Sequence, residues 1–287
     1  VRHITTRPPQ DKRNVNPIWA HGVSLVYTQT QAKGTDSNAF IADMATGKNA
    51  LLTPHKGEQL YSADDVSPDR KHVLLTSNAA NGYENIGVLD IATEKMHWLT
   101  QDKWEIRGHE FSPDGKRITF TANVDGNEDI YLYDLATGKS AALAIPKGVN
   151  SPAGGPSAFT ADGQRLLYYH DGPTAPGDLW VYHLATGKSQ QITQSLIAGV
   201  RSEDMVEPCL VHYPSRDGKW TISAFLYVPF NMARNGQNAA IVYIHGGPDS
   251  QSMNSFNPFI QHAVNQGYMV LAPNYRGSTG YGKEFEQ

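Results

Sequence analysis

The sequence is poor in the features that most quickly assign a function. It has one cysteine, Cys209, in 287 residues, which excludes an internal disulfide and a cysteine-built metal site and leaves the redox compartment open. No run of 18 apolar residues occurs, so no membrane-spanning helix is expected. Charge of one sign is also missing: 24 Lys+Arg stand against 28 Asp+Glu, a net charge of −4, without the clustered basic surface that a nucleic-acid partner requires. No metal cluster, phosphate-binding loop or cofactor fingerprint is present, and no cofactor is expected. The opening VRHITTRPPQDKR starts with Val1 and has no apolar signal core. What remains is 39% hydrophobic and 18% charged, enough to bury a sizeable core and to exclude disorder as the dominant state. At about 150 residues per domain the length suggests two domains.

Internal repeats carry the first positive signal. VSPDRKHVLL (66–75), FSPDGKRITF (111–120) and FTADGQRLLY (159–168) place Asp69, Asp114 and Asp162 at intervals of 45 and 48 residues. IADMATGK, LDIATEK, LYDLATGK and VYHLATGK run in step, with Ala45, Ala92, Ala136 and Ala185 at intervals of 47, 44 and 49. Two independent markers share one period. Pro68 or Pro113 presets φ in a tight turn, the next Asp bonds nearby backbone, and glycine accepts a positive φ. Alternating segments such as 117–120 and 130–133 read as half-buried strands. About four short strands per 40–50 residues is the pattern of a β-propeller blade.

Four blades are expected between about 17 and 200, the first placed at 17–27 with degenerate turn residues. VRHIT at 1–5 resembles MHWLT (96–100) and QQIT (190–193), so the chain is expected to open on the last strand of an earlier blade and to hold an incomplete propeller. Asp69, Asp90, Asp114 and Asp134 are read as turn residues. Tyr168, Tyr169, Trp180 and Tyr182 are read as packing, and Glu84, Glu128 and Asp129 as solvated loop charge.

The period stops after Gln194, and residues 195–208 read as a connector. Residues 1–205 are assigned to the propeller and 206–287 to a second domain. Five acidic and five basic residues make the second region neutral. CLVHYPSRDG and TISAFLYVP form a hairpin around Asp217-Gly218. Residues 240–244 read as an apolar strand buried on both faces. Asn257-Pro258 open a helix whose buried face holds Phe259, Ile260, Ala263 and Val264, and Gly267 ends it. Residues 268–272 form the next buried strand. Strand, glycine loop, helix, strand is one βαβ unit.

Two motifs follow the carboxyl ends of these strands, where open α/β sheets place their sites. In HGGP (245–248), Gly246 and Gly247 let backbone N–H groups approach a developing oxyanion, while a tight strand-to-helix turn explains the same residues. His245 has no nearby acid in the sequence and reads as structural. In NYRGSTGYG (274–282), small residues surround Arg276 and Tyr281, which suggests a shaped loop.

SPDG and ATGK repeats followed by HYPSRDG, YIHGGP and LAPNYRGSTGYGKEF resemble the prolyl oligopeptidase family of serine peptidases. The likeness is to its acylaminoacyl-peptidase and dipeptidyl-peptidase branches; the propeller half alone also resembles TolB-type proteins. The resemblance implies a β-propeller followed by the N-terminal part of an α/β-hydrolase domain, acting on short peptides through a Ser-Asp-His triad. It implies that Tyr281 donates its hydroxyl to the oxyanion, that Tyr275 is the weaker candidate in the same loop, that His245, Gly246 and Gly247 shape the oxyanion side, and that Arg276 is structural.

One departure is large. The nucleophile elbow G-x-S-x-G is absent: Ser24 and Ser157 have only the upstream glycine. The chain is therefore expected to be an internal, catalytically inert piece of such a peptidase. A non-catalytic binding propeller and an esterase on the same scaffold are the rival readings. A peptide is the expected partner. Neither a homo-oligomer nor a choice between cytoplasm and periplasm is decided by the sequence.

Overall fold

The computed structural model describes residues 11–20, 22, 24–153, 157–196, 199–233, 235–247 and 249–286. The strand expected at 1–5, His21 and Val23 of the first-blade turn, and Pro248 of HGGP lie outside them.

Four meanders of four strands occupy the repeat region. β1 (Lys12–Trp19), β2 (Ser24–Gln31), β3 (Ser37–Asp43) and β4 (Asn49–Leu51) form the first, and β5 (Tyr61–Val66), β6 (His72–Ser77), β7 (Asn85–Asp90) and β8 (Met96–Trp98) the second. The third comprises β9 (Glu105–Phe111), β10 (Arg117–Val124), β11 (Asn127–Asp134) and β12 (Lys139–Ala142). The fourth comprises β13 (Val149–Pro152), β14 (Arg165–Gly172), β15 (Ala175–His183) and β16 (Lys188–Gln191), and one parallel bridge, Glu128 to Val149, joins it to β11.

The repeated turns have a common local cause. Ser67 Oγ donates to Asp69 at 2.6 Å, Asp69 accepts the Lys71 N–H at 3.1 Å, and Ser67 Oγ accepts the His72 N–H at 3.0 Å. Ser112, Asp114, Lys116 and Arg117 repeat this at 2.6, 3.1 and 2.9 Å. Arg70 takes the glycine position of the turn at φ 61°, a strain that the surrounding hydrogen bonds offset. In the ATGK turns, Asp43, Asp90 and Asp134 accept the N–H groups of Thr46, Thr93 and Thr137. These bonds hold the turn carboxyls below the usual carboxylate range. Glu84 and Asp129 are paired with Arg107 and Lys147.

Beyond the repeats, β17 (Cys209–Pro214) and β18 (Thr221–Tyr227) form an antiparallel hairpin. Its turn reuses the blade chemistry: Ser215 Oγ donates to Asp217 at 2.6 Å, and Asp217 accepts from Lys219 N at 3.2 Å. β19 (Ala240–Val242), α1 (Pro258–Asn265) and β20 (Met269–Asn274) follow, then the short α2 (Lys283–Glu286). The strand order is β17-β18-β20-β19, with β19 parallel to β20.

Two expectations need correction. The 240–244 segment is not buried on both faces: β19 ends at Val242 and is an edge strand, and Val242 and Ile244 are 58% and 63% exposed. Phe259 is 53% exposed rather than on the buried face of α1, and its ring lies 5.7 Å from Tyr243. Gln261 takes the buried place instead. Its Nε2 donates to the carbonyls of Pro173 and Val206, and its Oε1 accepts the Val206 N–H. A side chain that satisfies three buried backbone groups is retained where an apolar one would orphan them.

Chain contacts divide the molecule into two compact units. The first, 1–121 with 131–142 and 161–163, is centred on Val26, Ala39, Val73, Leu75 and Leu89. The second, 122–130, 143–160 and 164–287, has a core of Phe225, Tyr227, Ile260, Val264, Val270 and Ala272. The entry of α1 into that core is fixed by Asn257, whose side chain accepts the Ile260 N–H at 3.1 Å, with Pro258 next. Asn257→Ala is expected to destabilise the second unit by about 1 kcal/mol, read as a lower denaturant midpoint at unchanged m-value.

Candidate functional site

The site lies in the second unit, at the ends of β19 and β20. The rings of His245 and Tyr275 stack at 4.4 Å and 13°, and Tyr275 Oη donates to the His245 carbonyl at 2.8 Å. Ser278 Oγ donates to the Tyr275 carbonyl at 2.6 Å and lies 2.8 Å from His245 Nε2. The serine proton goes to that carbonyl, and His245 presents Nε2 to the Ser278 oxygen and Nδ1 to the Gly246 carbonyl at 3.0 Å. His245 therefore pins the two loops together, its ring held by a carbonyl, a serine hydroxyl and Tyr275 rather than by the carboxylate that would orient a general base. Among the described residues no group of three or more His, Cys, Asp or Glu could hold a metal ion.

His245 and Gly246 line a cavity of about 240 Å³, together with Tyr243, Gln251, Ser252 and Asn257. Gly247 stands at φ +138°, and a Cβ there would meet Asp249 N at 2.7 Å, so this turn requires glycine. Arg276 reaches Asp217 at 2.8 Å and is half exposed. It ties the loop after β20 to the β17–β18 turn and stands away from the cavity lining.

Tyr281 is not among the residues lining that cavity. Its hydroxyl accepts from Asn274 Nδ2 at 2.9 Å, and its ring lies 5.0 Å from Phe285. Ser223 and Gln251 are further hydrogen-bond neighbours of that hydroxyl. Burial pushes its pKa above the ordinary tyrosine value, the neighbouring Ser223, Gln251 and Asn274 pull it down, and the Asp125 charge adds to the rise. The phenol is thus held neutral and remains a proton donor.

Sequence reasoning missed the residues that surround Tyr281. Asp125, at the tip of the β10–β11 hairpin, accepts from Ser223 Oγ at 2.6 Å and lies 3.0 Å from His212 Nε2. Asn123 Nδ2 donates to Gln251 Oε1 at 2.6 Å, and Asn254 N donates to the Gly126 carbonyl at 2.8 Å. The Asp-Gly pair signals a hairpin turn, but nothing local says what that turn will touch about a hundred residues later.

The family described as TolB beta propeller domain matches residues 10–202. The chain belongs to that family. The chain is also 24% identical over 282 residues to dipeptidyl-peptidase 5 of Porphyromonas gingivalis, covering 93% of this chain and 40% of that protein. It is 28% identical over 182 residues to the acylamino-acid-releasing enzyme of Mus musculus, covering 61% of this chain and 24% of that protein. A puromycin-hydrolyzing peptidase of Mycobacterium tuberculosis superposes with a TM-score of 0.81 at 19% identity, over 96% of this chain and 43% of its own. These names, a dipeptidyl-peptidase, an acylamino-acid-releasing enzyme and a peptidase, agree with the resemblance to the prolyl oligopeptidase family. The propeller chain spans less than half the length of each of these relatives. Among its described residues no helix is long and apolar enough to cross a membrane.

Proposed function

We propose that this chain is part of a serine peptidase of the prolyl oligopeptidase family that hydrolyses short peptides. Residues 1–205 are its propeller portion, and 206–287 are the N-terminal part of an α/β-hydrolase domain. The Ser-Asp-His triad lies outside these 287 residues, since no serine here has the G-x-S-x-G setting. Tyr281 acts as an oxyanion donor, and His245, Gly246, Gly247 and Tyr275 shape the loops beside it.

The observation that carries this reading is the βαβ arrangement in which both glycine-rich motifs follow the carboxyl ends of parallel neighbours, β19 and β20. A propeller used only for binding has no need of that pairing.

The test is labelling with a fluorophosphonate probe, together with hydrolysis of dipeptidyl and acylaminoacyl p-nitroanilides. The complete protein is expected to label on one serine and to turn over at least one substrate class. The 287-residue chain is expected to do neither. A complete protein that is folded, unlabelled and inactive on both classes would leave the binding-module reading in its place.

A further inference from the structure

The least expected feature of the second unit is the tip of the β10–β11 hairpin, Val124-Asp125-Gly126-Asn127. Asp125 sits at φ +52° and Gly126 at φ +76°, the left-handed pair that closes a two-residue hairpin. The tip is embedded. A Cβ on Gly126 would meet Phe225 Cε2 and the Ser252 carbonyl, each at 2.9 Å. Asp125 is the non-glycine residue held in the left-handed region at this point, and its carboxylate is fully engaged. One oxygen accepts from Ser223 Oγ at 2.6 Å, and the other faces His212 Nε2 at 3.0 Å.

The direction of these bonds matters. Ser223 gives its only proton to Asp125, so its oxygen is left to accept. Tyr281 is its hydrogen-bond neighbour. Asn274 donates to the same phenol from the other side, and its orientation is fixed by Ser252, whose N–H it accepts at 2.7 Å and whose carbonyl it bonds at 3.0 Å. Asn274 itself is fully buried. The phenol oxygen is therefore located by two oriented partners, and one of them is oriented by Asp125.

We propose that Asp125 is a positioning residue for the Tyr281 hydroxyl, acting through Ser223. A strained hairpin tip that ends on a carboxylate, a serine with one free acceptor direction, and a phenol form a single relay. Turn closure alone would be met by asparagine, which adopts the left-handed conformation readily. The acid is required by the far end of the relay, where a full charge fixes the Ser223 hydroxyl more firmly than a neutral amide does. The role of the positioned hydroxyl in catalysis rests on the proposed peptidase reading; the relay itself does not.

The test uses two measurements that separate these statements. In the 287-residue chain with ¹³Cζ-labelled tyrosine, the Tyr281 resonance is assigned by its loss in Tyr281→Phe and followed through its ionisation. Asp125→Asn preserves the turn and the side-chain shape. It is expected to move the Tyr281 chemical shift and to lower its ionisation midpoint, because a negative charge near the phenolate is removed. Ser223→Ala is expected to move the same resonance with Asp125 intact. Asp69→Asn, a turn carboxylate of the first unit, is the control and should leave it in place. A Tyr281 resonance that ignores both Asp125→Asn and Ser223→Ala overturns the relay.

In the complete protein, Asp125→Asn is expected to lower kcat by about 10- to 100-fold with KM nearly unchanged. In a Tyr281→Phe background the same change should cost nothing further. Additive losses would overturn the relay. If Tyr281→Phe alone left kcat unchanged, the peptidase role of Tyr281 would fall, while a shifted resonance would still support the relay.

Discussion

In the complete protein, Tyr281→Phe should lower kcat by about 10²–10³-fold, the worth of one oxyanion donor, with KM nearly unchanged. The ring stays where it is, 5.0 Å from Phe285. The amide of Asn274 keeps one N–H on the Ser252 carbonyl at 3.0 Å, but its other N–H loses its acceptor in a fully buried place, which costs about 1–3 kcal/mol of stability. The Tyr281 hydroxyl has Ser223 as a neighbour at rest, and a donor that turns from such a partner to the developing oxyanion bonds it only in the transition state, so the loss falls on kcat. Tyr275→Phe is the contrast. Its proton is already given to the His245 carbonyl, so its loss should loosen the stacked His245 loop and appear first in stability. If the two variants exchanged these phenotypes, Tyr275 would be the oxyanion donor.

The second large effect concerns stability in the first unit, where β5 and β9 carry buried groups of opposite response. Burial pushes the Asp65 carboxyl up to about 6, despite its bonds from the N–H groups of Phe111 and Val66. Asp64, bonded by Thr76 Oγ1, is pushed well above the ordinary range by burial too. Burial, with the Arg107 charge, pushes His109 down to about 4.

A carboxyl raised in the folded state contributes stability that is present below its unfolded pKa and lost as pH rises through about 6. A histidine lowered in the folded state contributes stability present above about 6.5 and lost as pH falls through about 4. Asp65 and His109 each correspond to about 3 kcal/mol at full expression, and they oppose each other between pH 4 and 6. Asp65→Asn loses one of the two backbone N–H bonds at every pH, so its effect is read as a difference: relative to the parent, its melting temperature should be several degrees higher at pH 8 than at pH 4, where Asp65 carries its proton in the fold. His109→Gln should show its largest relative gain at pH 4. Melting curves for both variants across pH 4–8 check this; a shift that is constant with pH would show that burial of these charges is not the cause.

The same distinction between local and distant causes explains which parts of the molecule were legible in the sequence. The blade turns were readable because their bonds close over two to five residues: Ser67 to Asp69, Asp69 to Lys71 and His72 to Ser67 need no knowledge of the rest of the chain. The α1 cap was readable for the same reason, since Asn257 bonds Ile260. The β17–β18 turn was only half read. Its Asp217-Gly218 pair marked a hairpin, but Ser215-Arg216-Asp217-Gly218-Lys219 is the blade turn again with arginine in place of proline, and the serine two residues before the aspartate was the available signal.

The exposure of Val242 and Ile244 depended on strand order. An apolar run reads alike in a central strand and at an edge, and β19 is at the edge. Phe259 and Gln261 were exchanged because helical periodicity cannot foresee that the Val206 and Pro173 backbone would need a side-chain amide.

The sequence by itself determined the repeats, their turns, the βαβ order and the glycine-rich loops that follow its strands. Each is set by hydrogen bonds and backbone preferences spanning a few residues. The tertiary structure alone decided the surroundings of Tyr281. Asp125 and Ser223 are 98 residues apart, and Asn123 and Gln251 are 128 apart. Such pairs leave no periodic or local mark, because the energy that joins them arises only after two distant turns have been brought into contact and desolvated together.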